Sequence, residues 1–294
     1  SDSSKASLFA DTTRKFDNLL ALDADFAKKD FNNELLQHRD VDIRLKPLFK
    51  FRVETGKKNI TALDKVFDDK SISDFINSLP VPVSLTSSVQ NLEFEQQQRY
   101  LHKIDSTLRR GKEGETLFAK ALLEAGNKQF NTALECYGQA IEKDPSQTFY
   151  YINRGALQSE MIDFISSIES NVQVLTLDNS GATRAKVKEN VTRSYDYTAA
   201  IHDMKKAAGL SPGLPYIYYN LGNLYCLSDD LPEAIIQYTK AISLFPYLGE
   251  AYYNRGLVQI YLQDREKGCL DMSKAGELGI TEAYSVIKKY CTEK

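Results

Sequence analysis

Few residues in this 294-residue chain could carry out a reaction, and those few stand apart from one another. His38, His102 and His202 sit alone on charged or amphipathic stretches, with no second group at acid–base or metal-ligand spacing. Cys136, Cys226, Cys269 and Cys291 are far apart and form no CxxC, which removes a zinc site and a thioredoxin-like motif and leaves them as small packed side chains of helices. Carboxylate pairs such as Asp68-Asp69 and Asp229-Asp230 read as solvated turn residues. No GxSxG, HExxH, Walker-type loop or glycine-rich dinucleotide turn occurs. The expectation is a protein that is not an enzyme and holds no metal or cofactor. One combination does recur: "YYINRGALQ" from Tyr150, "YYNLGNLY" from Tyr218 and "YYNRGLVQIY" from Tyr252. Tyr rings supply flat apolar area with little entropy loss, and Asn carboxamides bond a peptide backbone, so the chemistry on offer is holding an extended chain.

The elements that position these residues follow from their spacing. Gly222 and Gly256 are 34 residues apart, and Gly155 precedes Gly222 by 67. With Pro215 as position 1 of a 34-residue unit, small residues recur at positions 8, 20 and 27 (Gly222, Ala234, Ala241; Gly256, Gly268, Ala275) and proline at 32 (Pro145, Pro212, Pro246). Glycine inside a helix costs about 1 kcal/mol relative to alanine, so its recurrence marks a close approach of a neighbouring helix. Proline ends the second helix of each unit. This pattern resembles the tetratricopeptide repeat family, whose helix-turn-helix units stack into a superhelix. The likeness covers residues 114 to 280, in units of about 114–147, 148–214, 215–248 and 249–280, with 281–294 as a capping helix. The last unit lacks proline at position 32 and uses Gly276 and Gly279 instead.

The excess length in the second unit is an insert at about 162–194, lying in the turn between its two helices. Within it "VQVLTLDNSGATRAKVKENV" reads as a β-hairpin, the alternative being two extended helices that meet at the DNSG turn. Residues 1–112 form an N-terminal α+β segment, with strands at about 31–54 and a helix at about 91–109. "VDIRLKPLFKFRVE", Val41 to Glu54, alternates apolar and charged residues, as an edge strand with one wet face does, and Pro47 confines it to an edge or a bend. "FNNELLQHRD" is a candidate partner strand, and the inserted hairpin is expected to complete the sheet. The fold class is therefore mostly α: a superhelix of repeats with a strand-containing N-terminal segment and an inserted hairpin.

The resemblance implies that the first helix of each unit lines a concave groove. Carried onto this chain, the candidate peptide-binding residues are Asn153, Tyr216, Tyr219, Asn220, Asn223, Tyr253, Asn254, Leu257 and Tyr261. Position 5 holds Phe118, Ile152, Tyr219 and Tyr253 where family members that clamp a C-terminal carboxylate use lysine, so such a clamp is absent. Tyr219 and Tyr253 lie outside the small and core positions and are expected to tolerate alanine without unfolding. The function implied is a non-enzymatic scaffold that binds a protein or peptide in a Tyr/Asn-lined groove. The alternative is an architectural or self-assembly part whose groove is empty of ligand or filled by the N-terminal segment. A net charge of −3 offers no field to draw nucleic acid, and no run of about 18 apolar residues exists to span a bilayer. The arrangement is also similar to the C-terminal part of long bacterial tetratricopeptide proteins, which implies export to the periplasm or envelope. The start "SDSSKASLFAD", without Met or an apolar signal, is expected to be processed or truncated.

Overall fold

At Gly222 an added Cβ would lie 2.4 Å from the Tyr238 ring, and at Gly256 it would lie 2.9 Å from the Gly268 carbonyl oxygen. These contacts show why position 8 is small: the two helices of a unit touch there, backbone against a side chain at Gly222 and backbone against backbone at Gly256. In a computed structural model, which describes residues 44–54, 70–87, 94–110, 113–171, 175–177, 183–185 and 195–292, four such helix pairs follow one another. They are α3 (Glu113–Gly126) with α4 (Phe130–Lys143), α5 (Thr148–Asn171) with α6 (Thr198–Leu210), α7 (Pro215–Leu227) with α8 (Leu231–Leu244), and α9 (Gly249–Tyr261) with α10 (Arg265–Glu277). The closing helix is α11 (Glu282–Tyr290). The N-terminal part contributes β1 (Lys50–Val53), α1 (Lys70–Ser78), β2 (Val83–Thr86) and α2 (Phe94–Leu108).

The turns inside the repeats share one device. Lys128, Asp229 and Gln263 occupy the left-handed region with φ of 59°, 63° and 64°. Each is followed by an amide that reaches back to a carbonyl of the last helical turn: Gln129 to Glu124, Asp230 to Tyr225 and Asp264 to Gln259. Such left-handed caps satisfy carbonyls that the helix end would otherwise leave open. The second unit has its insert between the two helices. Its two halves are joined by Arg154, which donates to both carboxylate oxygens of Asp203 at 2.7 Å. Arg255 and Asp271 repeat that fork in the fourth unit at 2.7 and 2.8 Å.

The insert is a hairpin, β3 (Leu175–Leu177) antiparallel to β4 (Thr183–Ala185), and α5 runs to Asn171, well past 162. The expectation that this hairpin completes the N-terminal sheet is overturned. β1 instead pairs antiparallel with β2, Phe51 opposite Leu85 and Val53 opposite Val83, while β3 and β4 pair with each other. β2 comes from "SLPVPVSLTSS": Pro80 and Pro82 precede the strand, and Val83 to Thr86 are free to pair. "FNNELLQHRD" lies outside the described residues.

The cysteine expectation needs correcting as well. Cys269 on α10 and Cys291 just after α11 form a disulfide, 22 residues apart in sequence. The closing helix is thus covalently tied to the last repeat, and only Cys136 and Cys226 are free and buried.

Candidate functional site

The candidate site is built from the first helices of three successive units, each of which places an asparagine at position 6. Asn153 on α5, Asn220 on α7 and Asn254 on α9 are 2%, 0% and 0% exposed. A buried carboxamide needs partners for one acceptor and two donors, and neither apolar side chains nor satisfied helical backbone supply them. The partners here belong to the chain's own residues 46 to 51, which run through the groove as an extended strap.

Each carboxamide grips one strap residue by both backbone groups. Phe51 N–H donates to Asn153 Oδ1 at 2.9 Å, and Asn153 Nδ2 donates to the Phe51 carbonyl at 2.6 Å. Phe49 and Asn220 exchange the same pair of bonds, both at 2.8 Å. Lys46 N–H donates to Asn254 Oδ1 at 2.7 Å, and Asn254 Nδ2 reaches the Lys46 carbonyl at 3.1 Å. This is the bonding of a β-ladder with side-chain amides standing in for the second strand. The strap runs from the fourth unit toward the first, opposite to the order of the repeats. In the first unit position 6 is Ala119, so the carboxamides end with Asn153; from Lys50 onward the strap is β1, paired with β2, and Phe51 meets Asn153 from within that strand.

The phenols and second-row amides complete the cradle. Tyr219 Oη lies 2.7 Å from the Lys46 carbonyl and 3.0 Å from that of Pro47, and Asn223 Nδ2 donates to the Lys46 carbonyl at 2.9 Å. Asn223 Oδ1 in turn accepts from Tyr238 Oη at 2.7 Å and Asn254 Nδ2 at 2.8 Å. Burial drives the Tyr219 phenol far above its ordinary range, more than its bonds with Asn223 and Asn254 pull it back. It therefore stays a hydroxyl donor at any physiological pH.

Strap side chains fill matching places. The Phe49 ring sits 4.2 Å from Tyr216 and 5.0 Å from Tyr219, and Phe51 sits 5.0 Å from Phe149. Lys46 Nζ lies 2.6 Å from Glu282 on α11 and 5.3 Å above the Tyr253 ring. Lys50 Nζ reaches both oxygens of Glu160 at 2.5 Å.

Seven of the nine candidate residues therefore lie against the strap: Asn153, Tyr216, Tyr219, Asn220, Asn223, Tyr253 and Asn254. Leu257 is buried in a cluster that includes Leu45 at its edge, and Tyr261 packs part-buried on the same cluster. The expectation that Tyr219 and Tyr253 are dispensable for folding is corrected by their burial, 0% and 1% exposed. Groove lining and core are here the same residues, because the strap closes over them. Glu160 and Glu282 were not singled out from the sequence: Glu282 starts the closing helix, outside the repeats, whereas Glu160 stands at position 13 of its unit, the position Tyr261 holds in the fourth, so the repeat pattern could have marked it. Among the described residues no group of His, Cys, Asp and Glu is placed to hold a metal ion, and no helix is long and apolar enough to cross a membrane.

Stacked helix pairs with small residues at the crossing define a helical-repeat fold. The family model described as "Tetratricopeptide repeat" matches residues 215–248, so the α7–α8 pair is similar to a tetratricopeptide repeat. Tetratricopeptide repeat proteins are generally non-catalytic, and their fold suggests a protein–protein interaction scaffold. No curated protein sequence matches the chain. Among solved structures, "MamA 41-end from Desulfovibrio magneticus RS-1" is 15% identical with a TM-score of 0.47, over 63% of this chain and 86% of that one. A thermophilic TPR protein of Thermus thermophilus, TTC0263, is 14% identical with a TM-score of 0.45, over 66% and 92%. The "First TPR of Spaghetti (RPAP3) bound to HSP90 peptide SRMEEVD" is 16% identical with a TM-score of 0.39, over 52% and 94%.

Proposed function

We propose that this protein is a non-enzymatic interaction scaffold whose concave groove binds an extended peptide strand by its backbone, and that its resident ligand is its own segment 44–53. The observation that carries this reading is the set of three carboxamides, one per repeat, each bonded to both the N–H and the C=O of one strap residue. Side chains that read backbone in this way suit any extended chain that presents the same row of groups. The resident segment gains from being tethered, since its effective concentration at the groove is that of an intramolecular ligand. A competing strand therefore binds only where the resident is weakened.

An architectural reading, in which the strap never leaves, is favoured by one observation: Phe49 belongs to the same buried cluster as the helices of the second and third units. The two readings part in one experiment. In the full chain carrying Phe49→Ala, a fluorescein-labelled peptide of residues 44–53 is expected to bind saturably by anisotropy, and further substitution of Asn220 by Ala is expected to abolish it. Wild-type protein, its groove filled, is expected to bind the peptide weakly or not at all. If the Phe49→Ala chain keeps its helical circular dichroism yet binds no peptide, the groove is architectural.

A further inference from the structure

We infer that the groove is selective in sequence as well as in backbone, and that the partner it fits is an extended basic–aromatic segment of the pattern Lys-Pro-x-Phe-x-Phe, with its lysine at the α9–α11 end. This rests on the peptide-groove reading above and names the ligand class of that same site.

Each position of the pattern has its own reason. At the first, the ammonium of Lys46 is held between the Glu282 carboxylate at 2.6 Å and the face of Tyr253 at 5.3 Å, a place that suits a cation and repels an acid. At the second, the carboxamides serve residues 46, 49 and 51, so the ladder makes no use of an amide at 47, and proline preorganises the extended path without losing a bond the groove makes. The Pro47 carbonyl still accepts from Tyr219. The third residue, Leu48, is only part-buried and is left free in the pattern. At the fourth, the Phe49 ring is 7% exposed and enclosed by Tyr216 and Tyr219; at the sixth, Phe51 is 2% exposed among Phe118 and Phe149. Between them Lys50 turns to the rim and meets Glu160. Charge agrees with shape: the segment from Arg44 to Glu54 carries four cations and one carboxylate, and the two acids of the groove that meet it stand at opposite ends.

The offsets are set by the scaffold. Bonded strap residues are three and then two apart, or roughly 10 and 7 Å of extended chain, in keeping with the roughly 10 Å spacing of packed helices. A ligand with its aromatic residues moved by one position turns their rings to the solvent side and cannot satisfy both sites.

The test uses the full chain with Phe49→Ala and four labelled peptides: the resident sequence 44–53, its Lys46→Glu variant, its Phe49→Ala variant, and a scramble of identical composition. The Phe49→Ala peptide and the scramble are expected to bind at least about a hundredfold more weakly than the resident, as for loss of a buried aromatic anchor. The Lys46→Glu peptide is expected to bind about tenfold more weakly, and to recover on protein that also carries Glu282→Lys. The scramble binding as well as the resident overturns the selectivity and leaves the groove as a peptide site. No peptide binding to a folded variant overturns both readings. Should Phe49→Ala fail to fold, the same point is read in the intact chain from the amide exchange of residue 46. Lys46→Glu and Glu282→Lys each speed it, and the pair together restore it. Failure of the pair to restore it overturns the cation site.

Discussion

Replacing Asn220 by alanine removes the most enclosed grip on the strap, and its size can be worked from the geometry. Two bonds of 2.8 Å disappear, and the Phe49 N–H and C=O they served remain inside the protein, next to a 7% exposed ring. A buried backbone group left without a partner costs about 1 to 3 kcal/mol, and partial entry of water into the space of the lost carboxamide brings the sum to about 2 to 4 kcal/mol. Asn254→Ala should cost less, about 1 to 2 kcal/mol, because the Lys46 carbonyl keeps Asn223 and Tyr219 and only the part-buried Lys46 N–H is orphaned. The loss falls on the strap before it falls on the repeats, so limited trypsin digestion reads it at the bonds after Lys50 and Arg52. Cleavage through local opening follows the population of the open form, and about 3 kcal/mol is about a hundredfold in rate. Urea unfolding of the same variants gives the global change. An Asn220→Ala chain cleaved at the wild-type rate, with an unchanged unfolding midpoint, would refute the idea that carboxamides hold the strap.

Gly222→Ala drives a methyl into the fully buried Tyr238 ring at 2.4 Å and should cost about 2 to 3 kcal/mol in urea unfolding, whereas Gly138→Ala, with open space at its Cβ inside α4, should be neutral or stabilise by up to about 1 kcal/mol. Burial pushes the Cys226 thiol up to about 12, and Cys136 is raised by the same cause, so iodoacetamide should label no cysteine in the native chain, two after unfolding, and four after unfolding with reduction. Replacing Cys269 and Cys291 together by serine should cost about 3 kcal/mol, read from the unfolding midpoint, given a loop of 22 residues. Glu282 is held below the usual glutamate value of 4.5, first by its hydrogen bond from Lys46, so its contribution is present above that value and lost as pH falls through its folded pKa. Glu282 is half exposed and the pair is worth only about 0.5 kcal/mol, so Lys46 amide exchange, corrected for intrinsic pH dependence, should quicken about twofold below pH 4.5 in wild type and not in Glu282→Gln.

The repeats were legible because their signal is local and repeated. Glycine at position 8 and proline at 32 follow from one helix pair touching itself, and each copy writes the same constraint again. The carboxamides were legible for the same reason, since Asn153, Asn220 and Asn254 share a position in the unit. Their occupant, the N-terminal segment, was legible only as an alternative, because an alternating segment such as 41–54 declares one dry face and does not say what covers it. An edge strand paired with β3–β4 and a strap lying on three asparagines satisfy the same alternation. Strand pairing between Val83–Thr86 and Lys50–Val53 was hidden by Pro80 and Pro82, which read as loop when the residues beyond them are too few to show a period. The disulfide was invisible for a geometric reason: only the return of α11 onto α10 brings Cys291 to Cys269, and spacing of 22 residues carries no motif. One further signal lay unread in "NRG", which recurs from Asn153 and Asn254, together with Asp-Met at Asp203 and Asp271. The second and fourth units share it, and it encodes the Arg–Asp forks that join their helices.

Residue-resolved amide hydrogen exchange of the intact wild-type chain tests the occupied groove most directly. The amides of Lys46, Phe49 and Phe51 donate to Asn254, Asn220 and Asn153, and all three should exchange at least about a hundredfold more slowly than unstructured chain, Lys46 the fastest of them because it is only part-buried. Exchange of Phe49 and Phe51 at the rate of unstructured chain, while the amides of α7 and α9 stay protected, would mean that the repeats stand with their groove empty and would contradict the account.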